Sequence, residues 1–94
     1  IIQMNSHLLT GNIMSMIANR ISYYYDLKGP SFTLDTACSS SLTAFHLACQ
    51  SLWNRETTMC IVGGSNLCLT PEMFVAFSNL GVLSPDGCCK PFDK

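Results

Sequence analysis

Pro30-Ser31-Phe32-Thr33-Leu34-Asp35-Thr36-Ala37-Cys38-Ser39-Ser40-Ser41-Leu42 is the stretch on which the reading of this 94-residue chain turns. Phe32, Thr33 and Leu34 form a short β-prone run that opens after Gly29-Pro30 and ends at Asp35. A helix begins at about Cys38 or Ser39. Beyond it, Leu42, Phe45, His46, Cys49, Leu52 and Trp53 repeat at intervals of three and four, and Ala44 and Ala48 favour helix. Asn54-Arg55-Glu56 breaks the pattern. The stretch therefore reads as strand, sharp turn, helix, with a cysteine at the turn.

Working outward, Ile13, Met14, Ile17, Ile21 and Tyr24 keep helical spacing from about Gly11 to Tyr25, with a stop signal in Lys28, Gly29 and Pro30. Thr58 to Val62 is a second β-prone run, closed by Gly63-Gly64. Thr70-Pro71-Glu72 reads as a helix start with Thr70 as N-cap, Pro71 at the first position and an acid in the first turn. That helix is expected over about Pro71 to Ser78, and Ser84-Pro85-Asp86-Gly87 is a turn signature. The expected order is helix, strand, helix, strand, helix, which argues for α/β layers.

A cysteine at a strand-to-helix turn has chemical consequences. The first helical turn has unpaired N–H groups and a partial positive charge, which stabilise a thiolate. The same N–H groups can hold the oxyanion formed when the sulfur attacks a thioester. Ala37, Ser39, Ser40 and Ser41 are small and leave room for an acyl chain. The arrangement is like the nucleophile elbow of hydrolases with Cys in place of Ser. The plainer reading, a buried cysteine at a helix start with serines as caps, stays open on this physics alone.

Composition narrows the rest. Hydrophobic residues make up 48% and charged residues 12%, against about 25% charged in an average soluble domain. A small domain has proportionally more surface and should be richer in charge. The expectation is that chain outside this sequence covers part of it. The start at Ile1-Ile2-Gln3, without an initiator Met, and the stop at Lys94 both read as cut ends. The net charge is −1 and the Lys and Arg residues are scattered, so no basic stripe exists for nucleic acid. No secretion signal opens the sequence, and no run reaches the roughly 18 apolar residues of a membrane span. A cytoplasmic location is expected.

The six cysteines are Cys38, Cys49, Cys60, Cys68, Cys88 and Cys89. A disulfide framework belongs to loop-rich secreted chains, and a zinc site needs a C-x-x-C pair or a histidine at ligand spacing. Neither context is present, so no metal is expected. The cysteines read as reduced, most of them as small buried hydrophobes. A small cysteine-rich binding module is the competing class, and six free thiols under denaturing conditions would exclude it.

Asp35-Thr36-Ala37-Cys38-Ser39-Ser40-Ser41-Leu42 resembles the active-site signature of β-ketoacyl synthases, particularly those of type I polyketide synthases. The likeness extends to Asn19-Arg20-Ile21-Ser22-Tyr23, to Leu27-Lys28-Gly29-Pro30-Ser31 and to His46-Leu47-Ala48-Cys49-Gln50. It continues at Val62-Gly63-Gly64-Ser65-Asn66 and Leu83-Ser84-Pro85-Asp86-Gly87, covering nearly the whole chain. Tyr23 to Gly29 is most similar to iterative reducing fungal synthases.

The resemblance implies a thiolase-like layered α/β/α fold, with residues 1–94 a fragment from the centre of its first half. It implies that Cys38 takes an acyl group from the phosphopantetheine thioester of an acyl carrier protein. A malonyl-type extender then decarboxylates and attacks that thioester. The backbone N–H of Cys38 would be one oxyanion donor, and no cofactor would be bound by the segment itself. A homodimer is implied, with Phe32 to Asp35 near its two-fold axis. The family's catalytic histidines and supporting lysine lie in its second half, and their roles do not transfer to His7 or His46. His7 is assigned no role, and His46 sits two turns beyond Cys38, about 12 Å of helical rise, too far for a base. Trp53, Met73 and Phe74 are expected in the core, and Asp35 and Thr36 shape the turn. Gly63-Gly64 lacks the spacing of a phosphate loop. One departure is Cys88, where the family commonly has a basic residue. The alternative to a condensing enzyme is a non-catalytic ketosynthase-like partner that only shapes a dimer. Relatives of that kind replace the cysteine, which this chain keeps.

Overall fold

The computed structural model describes residues 7–93, which fall into two compact units divided between Gly64 and Ser65. Ile1–Gln3 and Lys94, read above as cut ends, lie outside the described residues.

The first unit holds α1 (His7–Asn12), α2 (Ser15–Tyr24), one 3-10 turn (Ala37–Ser39) and α3 (Ser40–Trp53). The single helix expected over Gly11 to Tyr25 is instead two. The Asn12 side chain donates to Leu8 O at 2.7 Å, competing locally as asparagine does inside helices. The ladder then tightens, with Met16 N–H to Ile13 O and Ile17 N–H to Met14 O, each at 3.0 Å.

Helix α2 ends at Tyr24, within a residue of the expected end at Tyr25. Asp26 takes φ +54° and Leu27 N–H donates to Ser22 O at 2.8 Å, the left-handed ending that satisfies the last carbonyls. Arg55, at φ +58°, ends α3 the same way, with Glu56 N–H on Ser51 O at 2.9 Å. Asparagine and aspartate tolerate this region and arginine does so less readily, so Arg55 is held there by the hydrogen bonds.

Neither β-prone run is a strand, and no strand occurs among the described residues. A strand exists only when a neighbour completes its ladder. Here side chains anchor both runs to helices. Thr33 Oγ1 donates to Met14 O at 2.9 Å and accepts from Ala18 N–H at 3.4 Å, while Ser22 Oγ donates to Ser31 Oγ at 2.7 Å. Thr57 pairs with Ser51 at 3.0 Å, and Cys60 Sγ reaches Ala48 O at 3.7 Å. The 31–34 segment thus lies along α2, and 57–60 along the end of α3.

The second unit holds α4 (Glu72–Asn79). Its N-cap position is Pro71, and Val75 N–H closes the first turn on Pro71 O at 3.0 Å. Thr70 was expected to cap the helix with its hydroxyl. That hydroxyl instead bonds the Glu72 carboxylate and, with a backbone hydrogen bond, lowers its pKa. Gly81, at φ +69°, gives α4 its left-handed ending, with Val82 N–H on Phe77 O at 3.2 Å. The expected turn is present: Gly87 N–H donates to Ser84 O at 3.1 Å.

The expected core is not formed. No described residue is buried; Trp53 is 75% exposed, and Met73 and Phe74 are about half exposed. The chain's accessible surface is 8851 Å², where two separate compact bodies of these lengths would show about 6,400 Å². Helical spacing tells which apolar residues share a face. It does not tell what lies over that face.

Candidate active site

Cys38 is the middle residue of the 3-10 turn and is exposed. The turn that carries it departs from what the residue types would choose. Ala37 sits at φ +56°, a left-handed conformation that costs a residue with a Cβ about 1–2 kcal/mol. Hydrogen bonds within the segment hold it there. The Asp35 carboxylate accepts from Ala37 N–H at 2.8 Å. Ser40 Oγ accepts from Thr36 N–H at 2.9 Å and donates to Ala37 O at 2.6 Å. Ser39 Oγ donates to Thr36 O and contacts Thr36 Oγ1, both at 2.8 Å, and Thr36 Oγ1 pairs with Thr43 Oγ1 at 3.2 Å. Every polar side chain from Asp35 to Ser40 is spent on the backbone around the thiol or on its neighbours.

The roles expected of Asp35 and Thr36 as turn-formers therefore hold. Two features escaped the sequence: the left-handed Ala37, and Ser40 as the residue that bridges both sides of it. Gly64 is a third. A Cβ there would stand well inside 3.0 Å of Ser41 Oγ, so this glycine gives the first turn of α3 room; φ at Gly64 is not positive.

His46 lies on α3 and is exposed. All six cysteines are free. Cys49 and Cys60 are half-buried, while Cys38, Cys68, Cys88 and Cys89 are exposed, so burial of most of them is not observed. Among the described residues no cluster of His, Cys, Asp and Glu suits a metal ion, and no helix is long and apolar enough to cross a membrane.

Residues 2–94 match the model of the "Beta-ketoacyl synthase, N-terminal domain". A highly reducing polyketide synthase of Cryptosporiopsis sp. is 62% identical over 85 residues, 90% of this chain and 4% of that protein. The compactin diketide synthase of Penicillium citrinum is 59% identical over 87 residues, 93% of this chain and 3% of that protein. The lovastatin diketide synthase of Aspergillus terreus is 56% identical over 88 residues, 94% of this chain and 4% of that protein. The chain thus spans only a few per cent of these relatives' length. An oxazolomycin ketosynthase domain of Streptomyces albus superposes with a TM-score of 0.75 at 41% identity, over 87% of this chain and 15% of that one. The fold is accordingly the thiolase-like layered α/β/α fold of ketosynthases, of which the described residues display the helical part. The chain belongs to the β-ketoacyl synthase family, within its N-terminal domain, and to the branch carried by polyketide synthases.

Proposed function

We propose that this segment is an internal piece of a ketosynthase and carries its acyl-accepting nucleophile, Cys38. The observation that carries the reading is an exposed thiol on a left-handed turn at the start of a helix, with the neighbouring hydroxyls fixing the backbone. The Cys38 thiolate attacks the acyl carbonyl of a carrier-protein thioester. A sulfur–carbon bond forms, and the phosphopantetheine thiolate leaves. The Cys38 N–H, in the 3-10 turn that leads into α3, serves as one donor to the tetrahedral oxyanion. A malonyl-type thioester on the carrier then loses carbon dioxide. The electron pair of the broken bond becomes an enolate, whose carbon attacks the Cys38 acyl group. The β-ketoacyl product stays on the carrier, and Cys38 leaves as thiolate. The parent enzyme works as a cytoplasmic homodimer, with histidines supplied outside this segment.

The test uses the intact synthase containing this segment, incubated with a small acyl thioester and read by protein mass. Cys38→Ala is expected to abolish acyl loading, and Cys49→Ala to leave it largely intact. Equal loss from both would mean the cysteines are structural. Undiminished loading in Cys38→Ala would favour the non-catalytic alternative for this position.

A further inference from the structure

We propose that Cys88 and Cys89 form a two-thiol capture site for trivalent arsenicals, separate from the condensation chemistry of Cys38. Cys88 and Cys89 are adjacent in the sequence, and the condensing reaction uses neither. Both thiols are free and exposed.

Their backbone is anchored on each side. Cys88 N–H donates to Asp86 Oδ1 at 3.2 Å, and the Lys90 carbonyl accepts from Asp93 N–H at 3.3 Å. Residues 88–90 are neither helix nor strand, lying between the Ser84–Gly87 turn and the turn at 91–92. No ladder forces neighbouring side chains onto opposite faces, as it would in a strand. Lys90 is the nearby cation, and its ammonium is paired with Asp86 Oδ2.

Geometry chooses the ligand. Adjacent Cα atoms are about 3.8 Å apart across a trans peptide, closer than the roughly 4.4–6.8 Å of ordinary disulfides. Both thiols are free, and a direct sulfur–sulfur bond would have to close a small ring across Cα atoms nearer than those of ordinary disulfides. One bridging atom between the sulfurs lengthens the ring and relieves that constraint. A soft trivalent centre with two exchangeable positions fits it. With phenylarsine oxide, two S–H bonds and the arsenic–oxygen bond break, two sulfur–arsenic bonds form, and one water leaves. Arsenic stays trivalent, so no oxidant or reductant is needed. The second thiol attacks within the same molecule, at an effective concentration that multiplies affinity by about 10²–10⁴.

The experiment treats the intact synthase with phenylarsine oxide, washes with a monothiol, and maps adducts by peptide mass. The peptide containing Cys88 and Cys89 is expected to hold one phenylarsenic bridge, released by 2,3-dimercaptopropanol. Cys88→Ser and Cys89→Ser should each lower retention about 100-fold or more, while Cys38→Ala leaves that adduct in place. Retention unchanged in either serine variant would overturn the proposal. So would an unmodified Cys88–Cys89 peptide, whether or not iodoacetamide reaches the two thiols.

Discussion

Ser40→Ala tests whether hydroxyl groups hold the nucleophile in position. Ser40 joins the two sides of the left-handed residue, receiving Thr36 N–H at 2.9 Å and donating to Ala37 O at 2.6 Å. Ser40 is half-buried and Thr36 exposed, so each bond is worth about 0.5–1 kcal/mol net. Removing both costs the turn about 1–2 kcal/mol, the same size as the strain at Ala37. The Asp35 and Ser39 bonds remain, so the turn loosens without being lost. The nucleophile-ready conformation should fall about 5- to 30-fold in relative population. Acyl loading of Cys38 in the intact synthase should slow by that factor, measured by quenched-flow mass spectrometry. Adding Ala37→Gly should restore most of the rate, because glycine occupies positive φ without the Cβ penalty. Loading by Ser40→Ala within twofold of wild type would refute the reasoning. Failure of Ala37→Gly to restore a slowed variant would refute it equally.

Two further outcomes follow from the structure. Lys90, then Ser84 and Cys88 N–H, push the Asp86 carboxyl down to about 2 from 3.8. Its folded value is depressed, so its contribution to the turn is present above about pH 4 and lost as pH falls toward 2; an NMR titration of the intact domain with a midpoint near 3.8 would contradict this. Expressed alone, the 94-residue chain should bind a hydrophobic dye strongly and aggregate, because Tyr23, Leu42 and Trp53 face water. A monodisperse chain with a sharp cooperative melt would contradict that.

Helix α3 was legible because its apolar residues repeat at three and four and Asn54-Arg55 ends it; the observed span is Ser40–Trp53. Pro71-Glu72 likewise located α4, although Thr70 bonds Glu72 and not the helix backbone. The break near Ile13 was hidden, since both sides keep one apolar phase and only the Asn12 side chain betrays it. The β-prone runs show the limit of local pattern. Their residue types favour a ladder, but a ladder needs a second segment, and Thr33 and Cys60 attach them to helices instead. At the site, the cysteine and its helix start were visible. Ala37 was not, because alanine has no preference for positive φ and is held there by its neighbours.

The Ser84–Gly87 turn places little demand on the side chain at position 88. Asp86 takes its charge partner from Lys90 and only an N–H from residue 88. Nineteen of the twenty amino acids supply that N–H, so this hydrogen bond does not depend on the side chain at position 88. Proline is the one substitution that the bond forbids.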